Sequence, residues 1–281
     1  MSSQIHDSEE LVDNGKPSAV STKIFQQLVH YFKYASSAYT MPCLKPNGNH
    51  LVIHFSNPLL DIQGFVARDD DRKEFIVALR GSTSISHVLL DTQVLLVPCI
   101  GAGINASGGC RVHSGFLAGW DSVVLEVNAI LDVEFLEEKY TNYNIITTGH
   151  SLGGALSTLA AVSLQQRYSD KGKEVRNYSY GAPRLGNRLF AEFVNDLLGE
   201  RSYRVVHARD GVPTMIPRTL GYHHHGIEYW QTVSPASSET TLQCSRTNGE
   251  DPRCSASVPS GGINEDHMVY FGIVATTPFC F

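Results

Sequence analysis

Residues Asn144–Ala155, reading NIITTGHSLGGA, constrain this chain more than any other stretch. The apolar, β-branched run Ile145-Ile146-Thr147-Thr148 predicts a buried strand, and an Ala- and Leu-rich helical pattern begins a few residues later. Between them, Gly149-His150-Ser151-Leu152-Gly153 must turn the chain from strand to helix almost at once. A turn that tight holds its serine in a strained backbone conformation and tolerates almost no side chain at the flanking positions, a condition that Gly149 and Gly153 meet. It presents the Ser151 hydroxyl at the strand's carboxyl end. The Leu152 N–H and the start of the helix then point to where an oxyanion would form. Gly-x-Ser-x-Gly alone occurs by chance in many chains. The preceding strand and following helix favour a catalytic serine over a glycine-rich connector.

The rest of the chain reads as alternating strands and helices. A polar, aperiodic stretch over residues 1–20 predicts a disordered or pro-segment-like tail, and residues 21–281 a single domain, for which the length and 42% hydrophobic content suffice. Ser21 or Thr22 caps a helix with Ile24, Leu28, Phe32, Ala35 and Tyr39 at helical spacing. Residues 51–55, 62–68 and 74–80 read as strands, the last two joined by Asp69-Asp70-Asp71-Arg72, a solvated turn that lacks the spacing of a calcium loop. A strand over 93–97, a long helix over 117–139, a strand over 175–180, a helix ending near Leu198 and a strand over 203–208 follow. This alternation predicts a mostly parallel sheet covered on both faces, with ligands at the strands' carboxyl ends.

A serine hydroxyl needs a base within hydrogen-bond reach and a buried carboxylate to fix that base's tautomer. After an elbow of this kind the acid follows the nucleophile and the histidine comes last. Asp210 stands just beyond the strand 203–208, whereas Asp196 falls in a helix, Asp251 in a cysteine-closed loop and Asp266 beside a histidine. His267 lies at the junction of a Gly-rich loop with an apolar segment, a position suited to dropping an imidazole onto a serine. His150 should point away from the pocket, and His113 and His207 read as structural. His223-His224-His225 cannot share one metal ion comfortably in an extended segment, because consecutive side chains alternate faces. Ser82, following Gly81 at a strand end, is a second candidate oxyanion donor. The apolar Ile85, Val88 and Leu89 after it suit either a buried turn or a mobile lid.

With 22 basic against 28 acidic residues the chain carries no basic footprint for nucleic acid. No apolar run is long enough to span a bilayer, and the N-terminus lacks a secretory signal pattern. Six cysteines without a CxxC nonetheless suggest an oxidising, extracellular setting. Fifteen connectivities are open, and the nested one, Cys43–Cys280, Cys99–Cys110 and Cys244–Cys254, is the expectation. Asn105 and Asn177 begin glycosylation sequons, the first in a surface loop. The working expectation for oligomeric state is a monomer.

Taken together, these residues resemble the fungal secreted lipase family called class 3, which includes triacylglycerol lipases and type-A feruloyl esterases. The likeness runs from Lys23 to Phe281. It is carried by RGS at 80–82, VHSGF at 112–116, TGHSLGGA at 148–155, YGAPRLGN at 180–187, HARDGVP at 207–213, EYW at 228–230 and HMVYFG at 267–272. The resemblance implies an α/β-hydrolase fold with a short helical lid, the triad Ser151, Asp210 and His267, and an oxyanion hole of Ser82 and Leu152. It further implies a lid at about 83–92 containing Ser84, Ile85, Val88, Leu89 and Leu90, the nested disulfides, secretion, and neither cofactor nor metal. Ser86-His87-Val88 lacks the tryptophan common in lipase lids, while LLDT at 89–92, DGVP and GGINEDH look closer to feruloyl esterases. Those esterases have a polar lid, and this stretch is apolar, so an acylglycerol substrate at a lipid interface is expected. A feruloyl ester is the alternative, and a non-catalytic lipid- or wall-binding scaffold a remote third reading.

Overall fold

The structure, a computed structural model, describes residues 15–82, 94–101, 103–259 and 262–281. The expected lid residues Ser84, Ile85, Val88, Leu89 and Leu90 lie outside them. The main sheet contains β1 (Ser18–Ala19), β2 (His50–Asn57), β3 (Ile62–Asp69), β4 (Glu74–Leu79), β5 (Asn144–His150), β6 (Val175–Tyr180), β7 (Ser202–His207), β8 (Glu228–Gln231) and β9 (Thr241–Gln243). Their order is β1-β9-β8-β7-β6-β5-β4-β3-β2. Strands β4 to β8 are parallel to one another. Both edges are antiparallel. Parallel neighbours need long crossovers, and here helices supply several of them; antiparallel neighbours such as β2 and β3 need only a turn.

Burial follows the two-residue period of each strand. In β4, Phe75, Val77 and Leu79 join a core with α2 (Ser114–Glu134), α3 (Leu152–Tyr168) and α4 (Arg188–Leu198), through Trp120, Leu131, Leu159 and Val194 among others. Ile76 and Ala78 face a second core beneath α1 (Thr22–Ser37), with Leu28, Phe32 and Ala35. Both faces of the sheet are thereby covered, which is why its central strands read as continuous apolar runs. Ser21 caps α1 as expected, accepting from the Ile24 N–H at 3.3 Å.

Four local expectations change. Helix α2 starts at Ser114 rather than 117, because the Nδ1 of His113 accepts from the N–H groups of Gly115 and Phe116 at 3.1 and 3.4 Å and so caps the helix; it also ends at Glu134, short of 139. The tail boundary at 20 falls too late. Ser18 and Ala19 pair with Gln243 and Leu242, and Val20 is buried in the core under α1. Asp69 is not a solvated turn residue but is buried near Tyr34, Asn49 and His30.

The fourth change concerns the cysteines. Cys43–Cys280 and Cys244–Cys254 are bonded, but Cys99 and Cys110 are free, buried thiols. The stretch between them is not simply a polar surface loop: Ile104 and Ala106 sink into the core beside both cysteines. Main-chain bonds close the loop instead, from Cys99 N–H to the Cys110 carbonyl at 3.1 Å and from Ala106 N–H to the Cys99 carbonyl at 3.3 Å. Burial pushes the Cys99 thiol up to about 12 and raises Cys110 as well, so the two act as small apolar side chains. Asn105 is exposed, whereas Asn177 is fully buried and bonded to Thr158 and Ser202.

Burial lowers the His113 pKa to about 4. A histidine whose pKa is lower folded than unfolded favours the folded state above about pH 6.5, and that contribution is lost as the pH falls toward 4. His113→Asn keeps a capping acceptor but does not titrate. Urea unfolding midpoints measured between pH 7 and 4.5 should therefore fall less steeply for the variant than for the wild type. Equal slopes would refute the assignment.

Candidate active site

Ser151 sits between β5 and α3 with φ 61° and ψ −128°, a left-handed backbone that a non-glycine residue adopts only when its surroundings enforce it. A Cβ at Gly149 would strike the main chain of Gly153, and one at Gly153 would strike the carbonyl of Leu79. The two glycines thus let α3 press against β4 and β5. Leu152 opens α3, so its N–H is one that no helical carbonyl can accept. Strands β4 and β5 are in parallel register, with Leu79 opposite Gly149, so residues 80–82 and 150–152 leave the sheet side by side. Ser82 is thereby placed on the same rim as the elbow.

His267 is carried by the one-turn helix Glu265–Met268, capped by Asn264. Its Nε2 lies 2.9 Å from Ser151 Oγ, and its Nδ1 lies 3.0 and 2.9 Å from the two oxygens of Asp210. A carboxylate only accepts, so Nδ1 carries the proton and Nε2 offers its lone pair to the serine hydroxyl. All three side chains are buried. Asp210 follows β7, and two further donors fix its carboxylate: the Val212 N–H at 2.9 Å from Oδ1 and the Tyr270 hydroxyl at 2.6 Å from Oδ2. Two of the aspartates set aside have other partners. Asp266 accepts from the Arg209 N–H, and Asp251 binds Arg253 and the Ser245 N–H. His224 and His225 each bind a main-chain carbonyl, of Pro213 and Gly226 respectively.

The family described as lipase (class 3) matches residues 76–220, which include the elbow and Asp210. The chain belongs to this family. It is 34% identical over 218 residues to a secreted mono- and diacylglycerol lipase of Fusarium solani, covering 76% of this chain and 61% of that one. It is 32% identical over 276 residues to a lipase of Rhizomucor miehei, covering 93% of this chain and 72% of that one. The crystal structure of a lipase from Rhizopus microsporus var. chinensis superposes with a TM-score of 0.82 at 30% identity, covering 96% of both chains.

Two features of this class 3 family member were not readable as parts of the site. Tyr270 reads as one more residue of the apolar segment after His267, and only the tertiary structure brings its hydroxyl to Asp210. Arg184 is bound through two nitrogens to Glu250, both at 2.7 Å, and donates to the Ile216 carbonyl at 2.8 Å. It thereby ties the Cys244–Cys254 loop to the segment that follows Asp210. Burial opposes the charge on Glu250, but the Arg184 hydrogen bonds and charge hold its carboxyl well below the usual range.

Tyr270→Phe removes one donor from a buried carboxylate and should lower stability by about 1–3 kcal/mol. Denaturant unfolding at pH 7 measures this, and an unchanged midpoint would show that the bond contributes nothing.

Proposed function

We propose that this chain is a secreted, monomeric carboxylic ester hydrolase that cleaves acylglycerols at a lipid–water interface through an acyl-enzyme on Ser151. The observation that carries the reading is the 2.9 Å contact between Ser151 Oγ and an imidazole whose other nitrogen is held by the buried Asp210. In the reaction, His267 takes the serine proton as Oγ attacks the ester carbonyl. The N–H groups of Ser82 and Leu152 receive the oxyanion, and His267 returns the proton to the departing alcohol. Water then repeats the sequence and releases the fatty acid. Asp210, fixed by Val212 and Tyr270, steadies the imidazolium that forms in each half.

The substrate class rests on the activities for which the relatives are named and on the rim of the site. Leu59, 93% exposed, and Leu60 stand on the turn whose Asp61 pairs with Arg80, next to the Ser82 segment. Met41 follows the end of α1, and Ile263 and Met268 flank His267 in the chain; all three are exposed as well. Large apolar side chains on several loops around one buried triad suit contact with lipid. The apolar residues Ile85, Val88, Leu89 and Leu90 are proposed to extend this surface as a lid.

Ser151→Ala should fold normally and lose at least roughly a thousandfold in rate on p-nitrophenyl butyrate. Retained activity would end the proposal. Triolein emulsion and monoolein should be hydrolysed well above methyl ferulate, and triglyceride turnover should rise sharply once droplets form. Preference for methyl ferulate would move the enzyme to the phenolic-ester class. A fluorophosphonate that fails to label Ser151 would leave only the scaffold reading.

A further inference from the structure

The histidine before the nucleophile is 1% exposed and does not reach for the substrate side of the site. Its Nε2 lies 2.8 Å from the main-chain carbonyl of His267, and its Nδ1 lies 2.8 Å from the hydroxyl of Tyr39. A carbonyl only accepts, so Nε2 carries the proton, and Nδ1 accepts from Tyr39. The His150 ring also lies against that of His267, with centroids 4.6 Å apart and planes tilted by 33°. On the far side, the Tyr39 hydroxyl lies against Gly81. Gly81 packs so closely there that a Cβ would strike both the Tyr39 hydroxyl and the His150 carbonyl oxygen.

Tyr39, His150 and the backbone of His267 therefore form one hydrogen-bonded chain, and Gly81 packs against its Tyr39 end. Together they connect the three segments whose relative placement the reaction needs: the one that bears Ser82, the one that bears Ser151, and the one that bears the base. We propose that Tyr39 and His150 are positioning residues for ester hydrolysis, holding the His267 main chain and the Gly81–Ser82 segment in fixed register with the nucleophile. The proposal rests on the serine-esterase reading of the site. A base displaced by even a fraction of an ångström from Ser151 loses rate rather than affinity, so the effect belongs in kcat. Burial and the neighbouring His267 hold the His150 pKa well below its ordinary range, so His150 stays neutral and adds no charge against the imidazolium of His267.

One amide cannot replace both imidazole nitrogens, and this separates the two links. Asparagine at 150 can place an acceptor near the Nδ1 position, toward Tyr39, and glutamine a donor near the Nε2 position, toward the His267 carbonyl. With p-nitrophenyl butyrate as a soluble substrate, Tyr39→Phe and His150→Asn should each lower kcat roughly tenfold while KM stays within about twofold. His150→Gln keeps the donor toward the His267 carbonyl but not the acceptor toward Tyr39, so its kcat should match that of Tyr39→Phe, and the rate of fluorophosphonate labelling at Ser151 should fall in parallel with kcat across the variants. Thermal unfolding of each variant separates these effects from a loss of folded protein. Should His150→Asn fail to fold, Tyr39→Phe, which removes a single oxygen atom, decides the matter. Folded Tyr39→Phe with kcat within about twofold of wild type overturns the inference, as does a loss of kcat that only follows the folded fraction. If wild type is labelled and active while the variants are unaffected, the inference alone fails. An unlabelled wild type, or an active Ser151→Ala, overturns the inference and the esterase reading together.

Discussion

The left-handed backbone of Ser151 is the constraint on which the rest of the structure depends. It costs about 1–3 kcal/mol and persists only if its surroundings leave no alternative. Here β5 ends in the middle of a nine-stranded sheet and α3 begins pressed against β4 and β5, with glycines at the two contacts where a Cβ would collide. The sheet is built outward from that point. Its parallel centre sends the ends of β4, β5 and β7 to one rim, and Ser82, Ser151 and Asp210 each lie within three residues of a strand end there. Only His267 comes from outside the sheet, which explains why it needs so many supports of its own.

Those supports are polar and buried, a costly combination unless each group is satisfied. Asn264 caps the short helix of His267, His150 holds its carbonyl, and Asp210 holds its Nδ1. Asp210 in turn is fixed from two further directions by Val212 and Tyr270. The partners come from three stretches of the chain, around His150, Asp210 and His267 itself, so His267 cannot be moved without breaking bonds to more than one of them. The Arg184–Glu250 pair extends the same logic one layer outward, by anchoring the segment after Asp210 to a disulfide-closed loop.

The sequence was most legible where local pattern and chemistry coincide. The elbow, the capped first helix and the central strands could all be read from short windows, because apolar period, glycine placement and capping are local properties; Ser151, Asp210 and His267 were picked out by their places at element ends, and the fold brings the three into hydrogen-bond contact. Tyr270 and Tyr39 could not be read this way, since a tyrosine's hydroxyl acquires its meaning only from a partner 60 or 111 residues away. His150 was correctly turned away from the pocket, but what it turns toward is tertiary information. The misread helix start at Ser114 has a clear cause: histidine is an uncommon cap, and a ring nitrogen did the work usually assigned to serine or asparagine. Cys99 and Cys110 were paired on the assumption that the segment between them was a surface loop, and the burial of Ile104 and Ala106 removes that assumption.

The bridge between Cys43 and Cys280, 237 residues apart, does more than restrict the unfolded chain. The last residues lie along the end of α1, where the Phe279 N–H donates to the Ser37 hydroxyl, and Phe279 also returns its carbonyl to the Ser37 hydroxyl and the Asn47 N–H. Segments laid over the outside of a fold are ordinarily the first to peel away. Here Phe279 and Cys280 are bolted to the helix that leads into Tyr39 and to the segment just after it, so this stretch cannot lift from α1 while the bridge is intact. Opening there would then require the helix and the covering stretch to loosen together, and not a gradual erosion of one of them.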